Sequence, residues 1–310
     1  MKKVILVLAI LLSSCILKNT TPIATTNKDA NIVKSGDIII ANGGNDSIIL
    51  LDSEGNFKAT LYSISTSATV SFPAMTWDAA NNQLLFTYDS TTATLDAIMS
   101  VDPYDLTSTT VYNNSTVFTA TGLNGLARLT GGDLVGIEST ATMEKFDTSW
   151  SRVGAPFMNA TLVATANDVS ALSNGGFVVS SSSTTNTIGT YDSAGTAVAS
   201  ATSATPTPSL GAAVGATGVA VTPDDKIVAA FSGGTDGVRK FSADLATLEW
   251  NFINTNVLTT PGKIAVRSNG NVLVLDTAFN HIVEISSPGI FVRTLGAASI
   301  SSPLGILVVP

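Results

Sequence analysis

The chain holds one cysteine, Cys15, and one histidine, His281, and that inventory removes several chemistries at once. A disulfide framework needs a second sulfur. A His-rich zinc site, a histidine dyad or a two-histidine lyase site needs a second imidazole. A Ser-His-Asp triad survives by count, but no G-x-S-x-G elbow occurs and His281 has no evident partner. His281 lies in the hairpin between two strand-like runs of the last repeat, where a turn residue accounts for it. Asp52, Asp102, Asp147 and Asp192 recur at matching positions of successive repeats, which predicts a turn-stabilising role in each unit and no unique site.

Cys15 stands apart. Lys2 and Lys3 precede nine apolar residues, Val4 to Leu12, and then Leu12-Ser13-Ser14-Cys15. As a helix that apolar run rises about 14 Å, less than half of a ~30 Å hydrocarbon core, so it is a signal-peptide core and too short to span. Its end resembles the bacterial lipobox: an aliphatic residue, two small residues, then Cys. The resemblance implies that the Cys15 thiol is diacylated, that residues 1–14 are cut away and that the new amine is acylated. At ~0.8 kcal/mol per buried methylene, two or three chains hold a protein firmly on a bilayer. Ile16, standing where Asp would favour the inner membrane, implies export to the outer membrane.

Cleavage leaves 23 acidic and 13 basic side chains, a net charge near −10. That field repels phosphate backbones and argues against nucleic acid as a partner. With 45% hydrophobic residues against 12% charged, the chain is too apolar for disorder and long enough for one substantial core. Residues 15–35 carry Thr, Asn, Lys and Pro without periodicity and read as a flexible tether.

From residue 36 onward the sequence repeats. A turn followed by a short apolar strand recurs six times, with second residues Asp37, Gln83, Asp133, Gly176, Lys226 and Asn271, at spacings of 46, 50, 43, 50 and 45. Each copy continues with a second strand ending in a turn, then a third. A fourth strand introduces the next copy: PAMTWD, NGLARL, NDVSAL, TGVAVT, GKIAVR and, at the C-terminus, PLGILVV. The first copy lacks such a strand ahead of Gly36. The expectation is an all-β, six-bladed β-propeller of four-stranded blades over residues 36–310, with the last strand completing the first blade so that the ring leaves no open edge. The stretch Ala199–Thr217 reads as a long surface loop. Trp150 and Tyr104 fall in equivalent turns, as contact residues or as packing between blades.

Residues 261–296, PGKIAVRSNGNVLVLDTAFNHIVEISSPGIFVRTLG, resemble an NHL repeat, P-x-G-I-A-V-D-x-x-G-N-I-Y-V-A-D-T-x-N-N-R-I-Q-V-F. Ile264-Ala265-Val266, Gly270-Asn271, Asp276-Thr277, Asn280 and Ile282-Val283 carry the match, and His281 replaces Arg. The other copies keep only the skeleton. NHL propellers serve protein binding, RNA binding or catalysis, so the resemblance implies a fold more than an activity.

The chain is also similar in plan to the six-bladed, calcium-dependent lactonases of the senescence-marker and gluconolactonase type. That resemblance implies a Ca²⁺ site over the central channel at Asn124 and Asp168, oxygen donors of the kind calcium takes. Glu138 would substitute for that family's first-blade Glu, which has no counterpart here. Two functions follow from these readings. The leading one is a lipid-anchored, non-catalytic module, with no cofactor, that binds an envelope protein or a glycan. The alternative is a Ca²⁺-dependent lactonase or esterase.

Overall fold

A computed structural model of the protein describes residues 32–64, 70–90, 97–113, 123–138, 142–153, 165–183, 187–201, 215–234, 236–296 and 298–310. The first blade begins with β1 (Ile38–Asn42), β2 (Ser47–Leu51) and β3 (Phe57–Ser63). In the second, β4 (Val70–Ser71) and β5 (Met75–Asp78) both pair with β6 (Gln83–Ser90), followed by β7 (Ala97–Val101) and β8 (Ser108–Asn113). The third holds β9 (Leu123–Arg128), β10 (Leu134–Glu138) and β11 (Met143–Phe146). The fourth holds β12 (Ala166–Ala171), β13 (Phe177–Ser181), β14 (Ile188–Tyr191) and β15 (Ala197–Ala201). The fifth holds β16 (Gly215–Val221), β17 (Ile227–Ser232), β18 (Gly237–Phe241) and β19 (Leu248–Phe252). The sixth holds β20 (Pro261–Val266), β21 (Val272–Asp276), β22 (His281–Ile285) and β23 (Phe291–Leu295), and β24 (Pro303–Val308) ends the chain.

The protein is a six-bladed β-propeller. Its last strand completes the first blade as the repeat offset predicts, with β24 antiparallel to β1, Ile38 opposite Val308 and Ala41 opposite Gly305. Two departures have local causes. Pro73 has no N–H to give, so the inner strand of the second blade splits into β4 and β5, and the Thr87 hydroxyl accepts the Ala74 amide at 3.1 Å in the gap. In the third blade the described residues form three strands, with an isolated Phe146–Arg152 bridge and the Val153 amide on the Lys145 carbonyl at 2.8 Å beside them; residues 154–164 lie outside the described residues.

The recurring aspartates cap turns. Asp52 Oδ1 accepts the amides of Glu54 and Asn56 at 2.9 and 2.8 Å, Asp147 those of Ser149 and Ser151, and Asp192 those of Ala194 and Thr196. These are Asx turns, and the bonds from Asn56 and Ser149 hold the Asp52 and Asp147 carboxyls below the usual range. Trp150 packs against the core between blades, with the Arg128 guanidinium 5.5 Å from its ring centre. Tyr104 is exposed. The ends of the stretch read as a long loop are strand residues: Ala199–Ala201 belong to β15 and Gly215–Thr217 to β16. Ile32 and Val33, assigned to the tether, pack on the first-blade core.

The core lies between blades. Ile38 and Ile40 of the first, for example, share one cluster with Leu273 and Leu275 of the sixth. At that seam Glu284 is the polar knot. It accepts from Asn271 at 2.8 Å and from Arg293 at 2.9 Å, and Arg267 stands 3.3 Å away. Arg293 continues to Glu54 of the first blade, and Arg267 donates to the Ser53 carbonyl at 2.6 Å. Burial opposes the charge of Glu284, yet Asn271, Arg293 and Arg267 outweigh it and hold its carboxyl below the usual range. A carboxyl with a depressed folded pKa stabilises the fold above its unfolded pKa and loses that contribution as pH falls through the folded one. Glu284→Gln is therefore expected to lower Tm at neutral pH and to flatten the loss of Tm below about pH 4.5, read by circular dichroism melts across pH. Parallel acid limbs for variant and parent would contradict the assignment.

Candidate functional site

The inner strands β5, β9, β12, β16, β20 and β24 line a central channel of about 780 Å³. Its walls include Met75, Leu126, Val169, Val221, Val266 and Ile306, and it reaches the turns at Ser173, Asp225 and Asn269. Those are the turns joining first and second strands of a blade. The channel therefore opens on the face opposite the strand starts, where the lactonase resemblance places its mouth. Gly36 and Pro310 also line it, so the N-terminal segment leaves the ring beside the opening.

Register aligns one position around the ring. The residues opposite Ala41, Thr87, Ile137, Ser180 and Ala230 are Gly305, Ala74, Gly125, Asp168 and Gly218, and Lys263 fills the sixth place. Four of the six are Gly or Ala. Backbones crowd there: a Cβ on Gly218 would come within 2.7 Å of the Gly262 carbonyl oxygen and 2.8 Å of Lys263 Cα. The two larger members are opposite charges, and they meet, Lys263 Nζ lying 3.0 Å from Asp168 Oδ1.

Lys263 does more than pair. Its ammonium also donates to the Asn124 carbonyl at 2.7 Å and to the Asn167 carbonyl. Three acceptors match the three protons of an ammonium. Asn124 is three blades from Lys263, so the side chain crosses the channel and fastens the sixth blade to the third and fourth. Asp168 Oδ2 in turn accepts the Val219 amide of the fifth blade at 3.2 Å. Desolvation pushes the Asp168 carboxyl up and the Lys263 ammonium down, and each charge opposes the shift of the other.

One residue earlier the chain bulges. In β9, β12 and β16 the ladder skips Asn124, Asn167 and Thr217. Their side chains donate sideways to the next blade: Asn124 to the Ala166 carbonyl at 3.4 Å, Asn167 to Ala216 at 2.7 Å and Thr217 to Pro261 at 2.8 Å. Asn124 thus belongs with Asn167 as an inter-blade latch, while Asp168, one step further along its strand, faces the channel. Glu138 is wholly buried in the third blade, and its charge is felt by Arg152. Of the three residues assigned to calcium, only Asp168 lines the channel. Among the described residues no three of His, Cys, Asp and Glu converge. His281 begins β22, with Nε2 3.4 Å from the Val257 carbonyl and 3.9 Å from Asp276 Oδ2. Cys15 lies outside the described residues.

Lys263 was missed in the sequence, although a signal was there: it stands where the NHL pattern P-x-G-I-A-V carries its glycine.

No protein-family model matches the chain, and no curated protein sequence does. Solved structures do resemble it. A chain of the nidogen/laminin complex superposes with a TM-score of 0.68 at 13% identity, over 88% of this chain and 98% of that one. TolB from Acinetobacter baumannii gives 0.63 at 16% identity, over 89% and 67%. Virginiamycin B lyase from Staphylococcus aureus gives 0.58 at 15%, over 87% and 85%. At such identities the likeness concerns the fold.

Removing one partner of a fully buried ion pair costs about 3–5 kcal/mol, an upper bound for Lys263 and Asp168, whose side chains keep 15% and 13% exposure, whereas replacing both by apolar residues is often neutral. Lys263→Met is accordingly expected to lower stability by up to roughly that amount. Adding Asp168→Leu to it should recover most of the loss in urea titrations. Two losses that simply add would mean that the residues act independently.

Proposed function

We propose that the protein is an exported lipoprotein, anchored to the outer membrane through Cys15, whose NHL-like propeller holds an envelope protein or a glycan and performs no chemistry. In this reading residues 1–14 are the signal peptide, residues 15–35 the lipidated tether and 36–310 the propeller. The observation that carries the non-catalytic part is the state of Lys263. It departs from the repeat and is the most chemically capable group in the channel, yet each of its protons has a carbonyl or carboxylate acceptor. An amine so engaged braces the ring and does not act as base or nucleophile. The neighbours by fold fit a binding role, one coming from a nidogen/laminin complex, though the virginiamycin B lyase likeness means that fold alone does not decide.

The anchor is tested by fractionation. Cys15→Ser is expected to move a folded propeller into the soluble fraction, and a variant that is processed yet stays membrane-bound would remove lipidation from the proposal. Capture from solubilised envelope, comparing the wild type with the tether alone, tests the binding half.

One observation favours a calcium-dependent hydrolase: the Asp168 carboxylate faces the channel beside two main-chain carbonyls, an all-oxygen set. A Ca²⁺ ion there must displace the Lys263 ammonium. Calorimetric titration separates the readings. Silence is expected with Ca²⁺, and tight binding abolished by Asp168→Ala would install the hydrolase instead.

A further inference from the structure

The chain leaves the ring on the turn face: the Gly36 amide bonds the Val309 carbonyl at 2.8 Å, and Asp37 Oδ2 accepts the Lys34 amide at 2.8 Å. The opposite, loop face lies at the other ends of the strands, away from this segment. The described connections there, residues 43–46, 233–234 with 236, 253–260, 277–280 and 296 with 298–302, contain no Lys or Arg, and their charges are Asp46 and Asp236. Glycine, serine, threonine and asparagine make up most of the remainder.

Phe279 belongs to one of these connections and is 59% exposed. Its support is built from both sides. Asp276, wholly buried, accepts the amides of Thr259 and Thr260 at 2.7 and 3.3 Å and those of Ala278 and Phe279 at 3.0 and 3.4 Å. One carboxylate thus fixes both the aromatic turn and the connection beside it. The imidazole of His281 lies parallel to the Phe279 ring at 7°, centroids 5.9 Å apart, and reaches the Val257 carbonyl. On the other flank Asn280, at φ 53°, accepts the Ser302 amide at 2.9 Å. Thr255 and Asn256 are exposed in the connection that meets His281 through Val257, and Ser301 and Ser302 are exposed in the connection bonded to Asn280.

We propose that Phe279 is the platform of a subsite for an uncharged glycan, a placement that rests on the binding-module reading above. The C–H face of a pyranose fits a fixed aromatic surface, whose negative π face attracts the polarised C–H bonds. Its ring hydroxyls fit the flanking hydroxyl and amide groups. The absence of Lys and Arg from the described connections disfavours sulfated, phosphorylated or uronic sugars. A bare hydrophobic contact for protein would be larger and continuous, whereas the exposed large apolar side chains of the described connections are Phe279 and Ile253 among polar residues.

The test is calorimetric titration of the full-length chain in detergent with neutral tetrasaccharides, cellotetraose, maltotetraose and chitotetraose, against polygalacturonate as the charged control. At least one neutral probe is expected to bind, with affinity falling tenfold or more in Phe279→Ala, retained in Phe279→Tyr and unchanged in Phe57→Ala, which removes an exposed ring from the outer strand of the first blade. No binding by any neutral probe, equal binding by Phe279→Ala, or preference for polygalacturonate would overturn the subsite. So would a protein captured from the envelope whose binding is lost in Phe279→Ala while no sugar binds. That last result would leave the binding-module reading standing, and retention by Phe279→Ala of every envelope ligand would leave it standing with its site elsewhere.

Discussion

The propeller depends on one pairing, that of its last strand with its first. Each blade is a twisted sheet whose core lies against its neighbours, so no blade buries its faces alone. Until β24 joins β1, the first blade lacks its inner strand and its face toward the channel lies open. Closure turns six local sheets into one cooperative unit, and it removes the most exposed edge of the chain. The salt-bridged knot at Glu284 sits at that same seam, where ends separated by most of the chain's length must be kept in register. Main-chain bonds supply the strength there, and the charges supply the alignment.

Inside the closed ring the inner strands crowd one another, and that crowding explains the residues found there. At Gly125 and Gly218, two of the four small residues among the six equivalent positions, a Cβ would come within 3 Å of the next blade's backbone. Side chains at the bulges then latch blade to blade through carbonyls that the skipped ladder leaves available. Against this near-symmetric background Lys263 and Asp168 are the exception. They replace small residues with a pair that reaches across the channel and whose charges are satisfied there. Symmetric features hold a repeat protein together, and the departures from symmetry are where individuality is sought.

The two faces then acquire different characters. Capped turns, rich in carboxylates that bind their own backbone, gather on the face where the N-terminal segment departs and the funnel opens. The opposite face carries connections of small polar residues with few charges. The described N-terminal segment joins the first of these faces, so the two faces differ in what they offer a partner: carboxylate-capped turns on one side and small polar connections on the other.

Much of the architecture was legible in the residues. The strand count, the six-fold repeat, the offset of the final strand and the turn role of Asp52, Asp147 and Asp192 follow from periodicity and turn chemistry, which act over a few neighbours. The expectation at Cys15 is equally local in origin, being read along residues 1–15, and it lies outside the described residues. The site was only half legible. Asp168 could be picked out, but Asn124 was paired with it although the two point in different directions. A single bulged residue shifts the alternation of side chains, and bulges are set by how neighbouring blades crowd, which no short stretch records. Lys263 lies 139 positions from Asn124 and 95 from Asp168, and nothing in their local patterns predicts that three blades converge on one ammonium. Composition and spacing determined that this chain closes a ring; the ring's curvature decided which of its residues meet at the centre.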